Sequence, residues 1–244
     1  MRTLVTTCGM EVRWYESVGS TNDEARMWAE RGAASGSVVC SDGQTAGRGR
    51  RGAVWICPEG EALAFSQILR PSMPRALWPR LALVAGLAVA KTLEYHGIAA
   101  EVKWPNDVWV HGKKIAGILV ESIGDAVIMG VGLNVNSLEL PDDISRIATS
   151  MRLETAREFD REPLLFLLAR SILSHAGRVE RDFAEILLDI RERCALTGKR
   201  VSLTMGQEIH RAMVKGISDH GELLVERNGR VEALWQADQI RVVE

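Results

Sequence analysis

The most apolar stretch of the chain covers residues 81–90 and is followed at once by Lys91. It is far shorter than the roughly 20 residues that span a bilayer, so it predicts a buried helix and no membrane segment. That helix is expected from about residue 77 or 79 to His96, ended by Gly97. Two more helical segments are predicted within residues 163–195. Another is predicted from Thr21 to about residue 31, with Thr21 and Glu24 spaced as in a capping box.

Short runs rich in β-branched residues predict strands between these helices. The predicted strands cover residues 37–41, 55–57, 63–69, 107–110, 113–121 and 126–136. His111-Gly112 has the length of a two-residue hairpin turn. In the strand that follows, period-two alternation groups Lys114 with Ala116, Ile118 and Val120, which suggests a charge directed into a pocket. Gly117 interrupts this strand, a position that often allows a ligand to approach the backbone closely.

The pattern changes after Gly198, where short strands follow one another without helices. They are expected over residues 200–204, 209–217, 222–226, 230–235 and 239–243. This change predicts an α+β catalytic domain over residues 1–195, with helices packed on a mixed β-sheet. Residues 196–244 are then expected to form a small C-terminal β-barrel.

Composition and charge exclude several classes of protein. Of the 244 residues, 46% are hydrophobic and 25% charged, and the formal net charge is -2, so the whole chain lacks the excess positive charge of a bulk nucleic-acid binder. The four cysteines and five histidines are scattered and form no metal-binding spacing. The cysteine pattern, together with the absence of a signal-peptide core, suggests a cytoplasmic protein.

The densest chemical signal is the glycine–arginine loop, residues 47–52, which combines three arginines with three glycines. Glycine lets backbone amides approach a ligand, and arginine donates two parallel hydrogen bonds to phosphate or carboxylate. The loop is therefore expected to bind an anion. Its match to the dinucleotide fingerprint G-x-G-x-x-G lacks the helix that this fingerprint requires. A nucleic-acid-binding loop and a merely solvated basic turn are the alternatives.

The segment Lys103-Trp-Pro-Asn-Asp107 places a cation, an aromatic ring, an amide and a carboxylate within five residues. Asn106 can read hydrogen-bonding edges, and Asp107 can hold Mg²⁺. Taken alone, the segment is also compatible with a polar turn closed by an Asx hydrogen bond. Lys114 has a similar alternative, in which it lies at the strand end and extends into water.

Together, these motifs resemble biotin–protein ligases in order and spacing. The resemblance is carried by Ser20-Thr21-Asn22, residues 44–52 with Trp55, residues 103–107, residues 114–121, and residues 130–134. It is close over about residues 10–150 and looser through the C-terminal strands. It implies a class II synthetase-like core, and an enzyme that forms biotinyl-5′-adenylate from biotin and ATP with Mg²⁺. Biotin would then pass to a lysine of a biotin carboxyl carrier protein, a subunit of acetyl-CoA carboxylase, or of another biotin-dependent carboxylase.

The resemblance also implies roles for individual residues. Those implied to be catalytic are Lys114, Arg50 and Asp107, with Asp107 also as the Mg²⁺ ligand. Those implied to bind biotin are Ser20, Thr21, Asn22, Gln44, Arg48, Gly49, Arg50, Lys114, Gly117 and Leu119. Those implied to bind ATP are Gly47, Arg51, Trp55, Lys103, Asn106 and Asn134.

Two departures from the family pattern change what is expected. Ala53 stands where many relatives carry a basic residue, which suggests a looser adenylate loop. The ligase segment begins within about 12 residues of Met1, too few for an upstream DNA-binding domain, so we expect no DNA partner. A homodimer is possible. The rival enzyme class is a lipoate ligase or octanoyl transferase, and the rival binding class is a nucleic-acid module.

Overall fold

The structure is a computed structural model that describes residues 1–5, 9–141, 144–206 and 208–243. The described strands are β1 Arg2–Val5, β2 Glu11–Val18, β3 Val38–Gln44, β4 Ala62–Leu69, β5 Glu101–Lys103, β6 Asp107–Val110, β7 Lys113–Ile123, β8 Ala126–Asn134, β9 Arg200–Met205, β10 Glu208–Ile217, β11 Leu223–Arg227, β12 Arg230–Leu234 and β13 Gln239–Val242. The described α-helices are α1 Thr21–Glu30, α2 Arg80–Tyr95, α3 Met151–Thr155, α4 Arg161–Ala176 and α5 Val179–Glu192.

The main sheet contains β1 to β8 of the described residues, in the order β1-β2-β3-β4-β8-β7-β6-β5. Strands β2 and β3 are parallel and joined through α1, while the other neighbouring pairs are antiparallel. The sheet is therefore mixed, and the predicted α+β class is confirmed. None of the helices in the described residues is long and apolar enough to cross a membrane.

The two faces of the sheet carry different side chains because successive residues of a strand point to opposite sides. Leu63, Phe65, Met129, Val131 and Leu133 join the main core, which also contains the apolar residues of α2, α4 and α5. The other face is covered in part by α1, whose Ala25 and Trp28 pack with Ile68 and Ile128. The remainder of that face of β7 and β8 carries Gly117, Gly130 and Gly132.

The last five strands form an antiparallel sheet in the order β12-β11-β10-β9-β13. Within the described residues, β12 and β13 stand at its two ends, and their pairing would complete the predicted barrel. This sheet shares the main core through Val201, Leu203 and Val214. Its loops also touch the main sheet, since the indole Nε1 of Trp104 donates to the carbonyl of Gly221 at 3.0 Å. The boundary at residues 195/196 stays a prediction.

Three local expectations are wrong. Ser20, not Thr21, is the N-cap of α1, and its side chain makes no capping hydrogen bond; Oε1 of Gln44 instead accepts from the amide of Thr21 and lies 3.2 Å from its hydroxyl oxygen. Residues 55–57 form no strand, and this stretch pairs only through a bridge between Val54 and Arg48. Residues 50–52 form a 3-10 turn with no α-helix after it until Arg80, which agrees with setting the dinucleotide fingerprint aside.

The third error concerns the face of Lys114. Strand β7 pairs Val108 with Ala116 but Trp109 with Lys114, so Ile115 is an extra residue in the ladder. Such a β-bulge shifts the alternation by one residue. Lys114 therefore lies on the face of Gly117, where a Cβ atom at Gly117 would meet its Nζ at 3.0 Å. The expected pocket orientation is present, although the simple alternation assigned the wrong face.

The central packing of β8 allows a quantitative prediction. Leu133 is fully buried in the main core, so replacing it by alanine leaves a cavity, and we expect Leu133→Ala to lower the free energy of unfolding by about 2–5 kcal/mol. Leu188 on α5 is 60% exposed, and Leu188→Ala should cost less than about 0.5 kcal/mol. Urea unfolding followed by circular dichroism measures both, and equal losses would contradict this assignment of the core.

Candidate functional site

A cavity of about 310 Å³ opens on the glycine face of the main sheet. Its walls come from the start of α1, the end of β3, the glycine–arginine loop, the turn between β5 and β6, strands β7 and β8, and the segment before and at the start of β13. The sequence-predicted residues among its lining are Ser20, Thr21, Asn22, Gln44, Arg48, Gly49, Arg50, Trp55, Lys103, Asn106, Asp107, Lys114, Gly117 and Leu119.

Three predicted residues lie outside this lining. Gly47 serves the loop itself, since a Cβ atom there would lie 2.5 Å from the carbonyl oxygen of Trp55. Arg51 has a positive φ of 55° and its guanidinium pairs with Asp238. Asn134 donates through Nδ2 to the carbonyl of Thr149 at 2.9 Å. In the described structure these residues shape the surroundings of the cavity.

One end of the cavity is polar and uncharged at its surface. The Oε1 atom of Gln44 accepts from the amide of Thr21 at 2.8 Å and lies 3.2 Å from its hydroxyl. Behind them, Ser66 contacts both Thr21 and Asn22 through its hydroxyl. Thr21, Asn22 and Ser66 are all buried, so their hydrogen-bonding groups are held in place.

The middle of the cavity is flat because two glycines remove side chains from β8. A Cβ atom at Gly132 would lie 2.2 Å from the indole of Trp55, and one at Gly130 would lie 2.2 Å from Oδ1 of Asn22. Trp55 therefore lies directly on the backbone of the sheet. Its Nε1 is buried and has no hydrogen-bond partner among the described residues, which leaves a donor for a ligand.

The opposite end of the cavity is rich in cations. The Nζ atom of Lys114 lies 2.7 Å from Oδ1 of Asp107, and Nζ of Lys103 lies 3.8 Å from its Oδ2. Burial lowers the pKa of Lys103, whose ammonium also lies 4.4 Å from the centre of the Trp109 ring. Burial, followed by the charge of Arg51, lowers the pKa of Arg50. Cations in a partly desolvated site attract anions more strongly than cations in bulk water do.

Asp107 is the counter-ion of these lysines in the described structure. Among the described residues, no group of three or more His, Cys, Asp or Glu side chains comes together. A single carboxylate with both oxygens facing ammonium groups does not fit a protein-held Mg²⁺ ion, which takes oxygen ligands in an octahedral arrangement. The Mg²⁺ assignment stays a prediction.

The glycine–arginine loop is tied down on both sides of the cavity. Arg48 makes two hydrogen bonds to Asp23 on α1, at 2.6 and 2.7 Å, and these lower the pKa of Asp23 and raise that of Arg48. Arg50 donates to Oδ1 of Asn106 at 3.2 Å and to the carbonyl of Ala237 at 3.4 Å. The loop thus spans the cavity from α1 to the C-terminal sheet, and it does so with Ala53 in place of a basic residue.

Several lining residues were absent from the predicted site. The C-terminal segment contributes Ala237, Asp238, Gln239 and Ile240, and the main sheet adds Gly130, Val131, Gly132 and Ile118. The glycines were visible in the sequence as breaks in an apolar strand. The C-terminal residues carried no such signal, because only tertiary packing brings them to the cavity.

A concave cavity with fixed polar groups at one end and cations at the other is the kind of site that binds a small ligand with an anionic group. The chain belongs to the biotin/lipoate A/B protein ligase family, whose model matches residues 14–136. The model of the biotin protein ligase C-terminal domain matches residues 196–237.

Individual relatives agree with this family. The bifunctional ligase/repressor BirA of Bacillus subtilis is 34% identical over 242 residues, covering 94% of this chain and 74% of the relative. The biotin–[acetyl-CoA-carboxylase] ligase of Mycobacterium tuberculosis is 32% identical, covering 92% and 86%. A biotin protein ligase from Aquifex aeolicus, solved in complex with biotin and ATP, superimposes with a TM-score of 0.87 at 31% identity, covering 95% of this chain and 99% of that one.

The contact between Trp55 and Gly132 can be tested directly. Gly132→Ala should displace the indole, because the new methyl group overlaps it, at a cost of about 1 kcal/mol in unfolding free energy. We expect altered tryptophan emission and greater quenching by acrylamide, and both changes should disappear in a Trp55→Phe background. Gly19→Ala is the control, since a Cβ atom there meets nothing within 4 Å. Unchanged quenching in Gly132→Ala would show that Trp55 does not lie on β8.

Proposed function

We propose that this chain is an ATP-dependent biotin–protein ligase that forms biotinyl-5′-adenylate and transfers biotin to a lysine of a carrier protein. The observation that carries the proposal is the distribution of polar, apolar and cationic groups along the cavity described above. A polar uncharged end suits the ureido ring of biotin, the glycine floor suits its fused rings and chain, and the cationic end suits the junction of a carboxylate with a phosphate.

The residue roles follow the same polarity. Ser20, Thr21, Asn22 and Gln44 surround the ureido ring, and Gly117 and Leu119 line the ring pocket. Lys114 and Arg50 face the reacting carboxylate and the α-phosphate, and Asp107 holds Lys114 in position through the 2.7 Å contact. Trp55, Lys103 and Asn106 serve the nucleotide side, with the free indole Nε1 of Trp55 as a donor.

The first half-reaction joins two anions, so its main demand is to neutralise and align them. A carboxylate oxygen of biotin attacks the α-phosphorus of ATP, the bond to the β-phosphate oxygen breaks, and pyrophosphate leaves. Charge that grows on the α-phosphate in the transition state is stabilised by Lys114 and Arg50, which are held in place before the reaction. In this mechanism no protein side chain forms a covalent bond with the substrate.

The second half-reaction requires that the mixed anhydride be protected from water. The glycine–arginine loop covers the cavity through Arg48 on Asp23 and Arg50 on Ala237, so it excludes water while the adenylate waits. The amine of the acceptor lysine attacks the acyl carbon, the bond to the phosphate oxygen breaks, and AMP leaves. The acceptor is proposed to be biotin carboxyl carrier protein or another biotin-dependent carboxylase, in keeping with the names of the relatives.

Three further expectations stay predictions: the cytoplasmic location, the absence of a DNA partner and a possible homodimer. DNA binding should be measured directly, because some relatives are named as both ligase and repressor.

The function is tested by incubating the protein with biotin, ATP, Mg²⁺ and a carrier domain, followed by detection with streptavidin and assay of pyrophosphate. Lys114→Ala should slow adenylate formation at least about 100-fold, the usual cost of removing one preorganised charge-stabilising group, with little change in melting temperature. The control is Lys113→Ala, which changes the exposed neighbouring lysine. Its rate of adenylate formation should stay within about twofold of the wild type. Pyrophosphate release with lipoate but not biotin would favour the lipoate ligase class, and no transfer at micromolar enzyme would reject the proposal.

The covering role of the loop gives a separate prediction. Arg50→Gly removes the contacts to Asn106 and Ala237, so preformed biotinyl-5′-adenylate should dissociate about tenfold faster or more, consistent with the loss of charged hydrogen bonds. Release of radiolabelled adenylate from single-turnover complexes measures this rate. Arg146→Gly changes an exposed arginine in another loop and should leave the rate unaltered. An unchanged rate in Arg50→Gly would contradict the closing role.

A further inference from the structure

A relay of hydrogen-bonded side chains lies behind the polar end of the cavity. It runs from Thr21 through Ser66 and Asn22 to the carboxylate of Glu121. Nδ2 of Asn22 donates to Oε2 of Glu121 at 2.7 Å. The hydroxyl of Ser66 lies 2.6 Å from Oδ1 of Asn22 and 2.8 Å from the hydroxyl of Thr21. Neither Ser66 nor Glu121 is part of the cavity lining, and Ser66 is fully buried.

The donor and acceptor properties of these groups fix the direction of hydrogen bonding along the relay. A carboxylate only accepts hydrogen bonds, so the NH₂ group of Asn22 must face Glu121 and its carbonyl oxygen must face Ser66. That oxygen also only accepts, so the single proton of Ser66 goes to Asn22. The proton of Thr21 then has two possible acceptors, Ser66 at 2.8 Å and Oε1 of Gln44 at 3.2 Å. It goes to the nearer Ser66, because otherwise two oxygens 2.8 Å apart would have no proton between them.

This direction decides what Thr21 offers to the cavity. With its proton directed at Ser66, the oxygen of Thr21 presents a lone pair. Oε1 of Gln44, which already accepts from the amide of Thr21, lies 3.2 Å away and is also an acceptor. Two acceptors therefore converge at this end of the cavity, and they require N–H donors from a ligand.

We propose that Glu121 and Ser66 are positioning residues that make Thr21 an acceptor for a ureido N–H of biotin, and so determine selectivity for a ureido ring. This inference rests on the proposed function. A lipoyl or octanoyl chain has no N–H group and would leave both acceptors unpaired in a buried site, which is costly.

Two neighbouring features support the positions of Asn22 and Glu121 in the relay. Gly130 leaves room for Asn22, because a Cβ atom there would lie 2.2 Å from its Oδ1. Arg48, which ties the glycine–arginine loop to Asp23, lies 3.9 Å from Oε2 of Glu121 and partly neutralises its negative charge. The sheet therefore leaves room for Asn22, and the loop stabilises the charge of Glu121.

The test compares substitutions that keep the direction with substitutions that remove it. Glu121→Gln retains an acceptor for Asn22, whereas Glu121→Met has a similar length and lacks a strong one. Ser66→Ala removes the middle of the relay. The dissociation constant, Kd, for biotin, desthiobiotin and a biotin methylated on both ureido nitrogens is measured by calorimetry, together with the KM for ATP and the melting temperature.

We expect Glu121→Met and Ser66→Ala to raise the Kd for biotin and desthiobiotin alike, by about tenfold, as for the loss of one buried hydrogen bond. Binding of the methylated analogue and the KM for ATP should change less than about twofold. Glu121→Gln should stay within about threefold of the wild type. The double variant should bind biotin no worse than either single variant, since both interrupt one relay.

The proposal is overturned if Glu121→Gln binds as weakly as Glu121→Met, if the two single effects multiply in the double variant, or if biotin binding is unaffected. If Ser66→Ala does not fold, the comparison of Glu121→Gln with Glu121→Met, at a partly exposed position, still tests the proposal. A wild-type protein that does not bind biotin would reject the proposed function along with the relay. Wild-type binding with unaffected variants would reject the relay alone.

Discussion

The three glycines on one face of β7 and β8 are the constraint on which the site depends. On one side, the apolar residues of both strands belong to the core that also contains residues of α2, α4 and α5. On the other side Gly117, Gly130 and Gly132 leave the backbone bare, so Trp55 and Asn22 reach it. A ligand-sized cavity exists because the core is complete without that face, and any side chain at Gly130 or Gly132 would occupy the place of a functional group.

The charges of the site are arranged by the same backbone. The bulge at Ile115 turns Lys114 toward the cavity, and the pairing of β5 with β6 brings Lys103 to the same carboxylate. Asp107 holds both ammonium groups near the junction where two anionic substrates are proposed to meet. The cations at this end outnumber the carboxylates: Lys103 and Lys114 lie on Asp107, Arg50 is close by, and Asp238 pairs with Arg51 at the margin.

The C-terminal sheet completes the enclosure of the cavity. Its residues 237–240 form part of the wall, and the carbonyl of Ala237 and the carboxylate of Asp238 receive Arg50 and Arg51. The loop is therefore fixed between two parts of the fold that are far apart in sequence. This arrangement gives the C-terminal sheet a place in the site, beyond its share of the common core.

The sequence by itself determined the four longer helices α1, α2, α4 and α5, most strands, the α+β class, the family and most of the cavity residues. It could do so because periodicity and turn residues are local, and because the glycine, arginine and lysine motifs are short and dense. It misplaced Lys114, since a bulge depends on how two strands pair. It missed Ser66, whose partners lie 44 and 45 residues away, and residues 237–240, which follow no recognisable motif. Only the tertiary structure decided the direction of the hydrogen bonds at Thr21, because that direction is dictated by Glu121, 99 residues along the chain from Asn22.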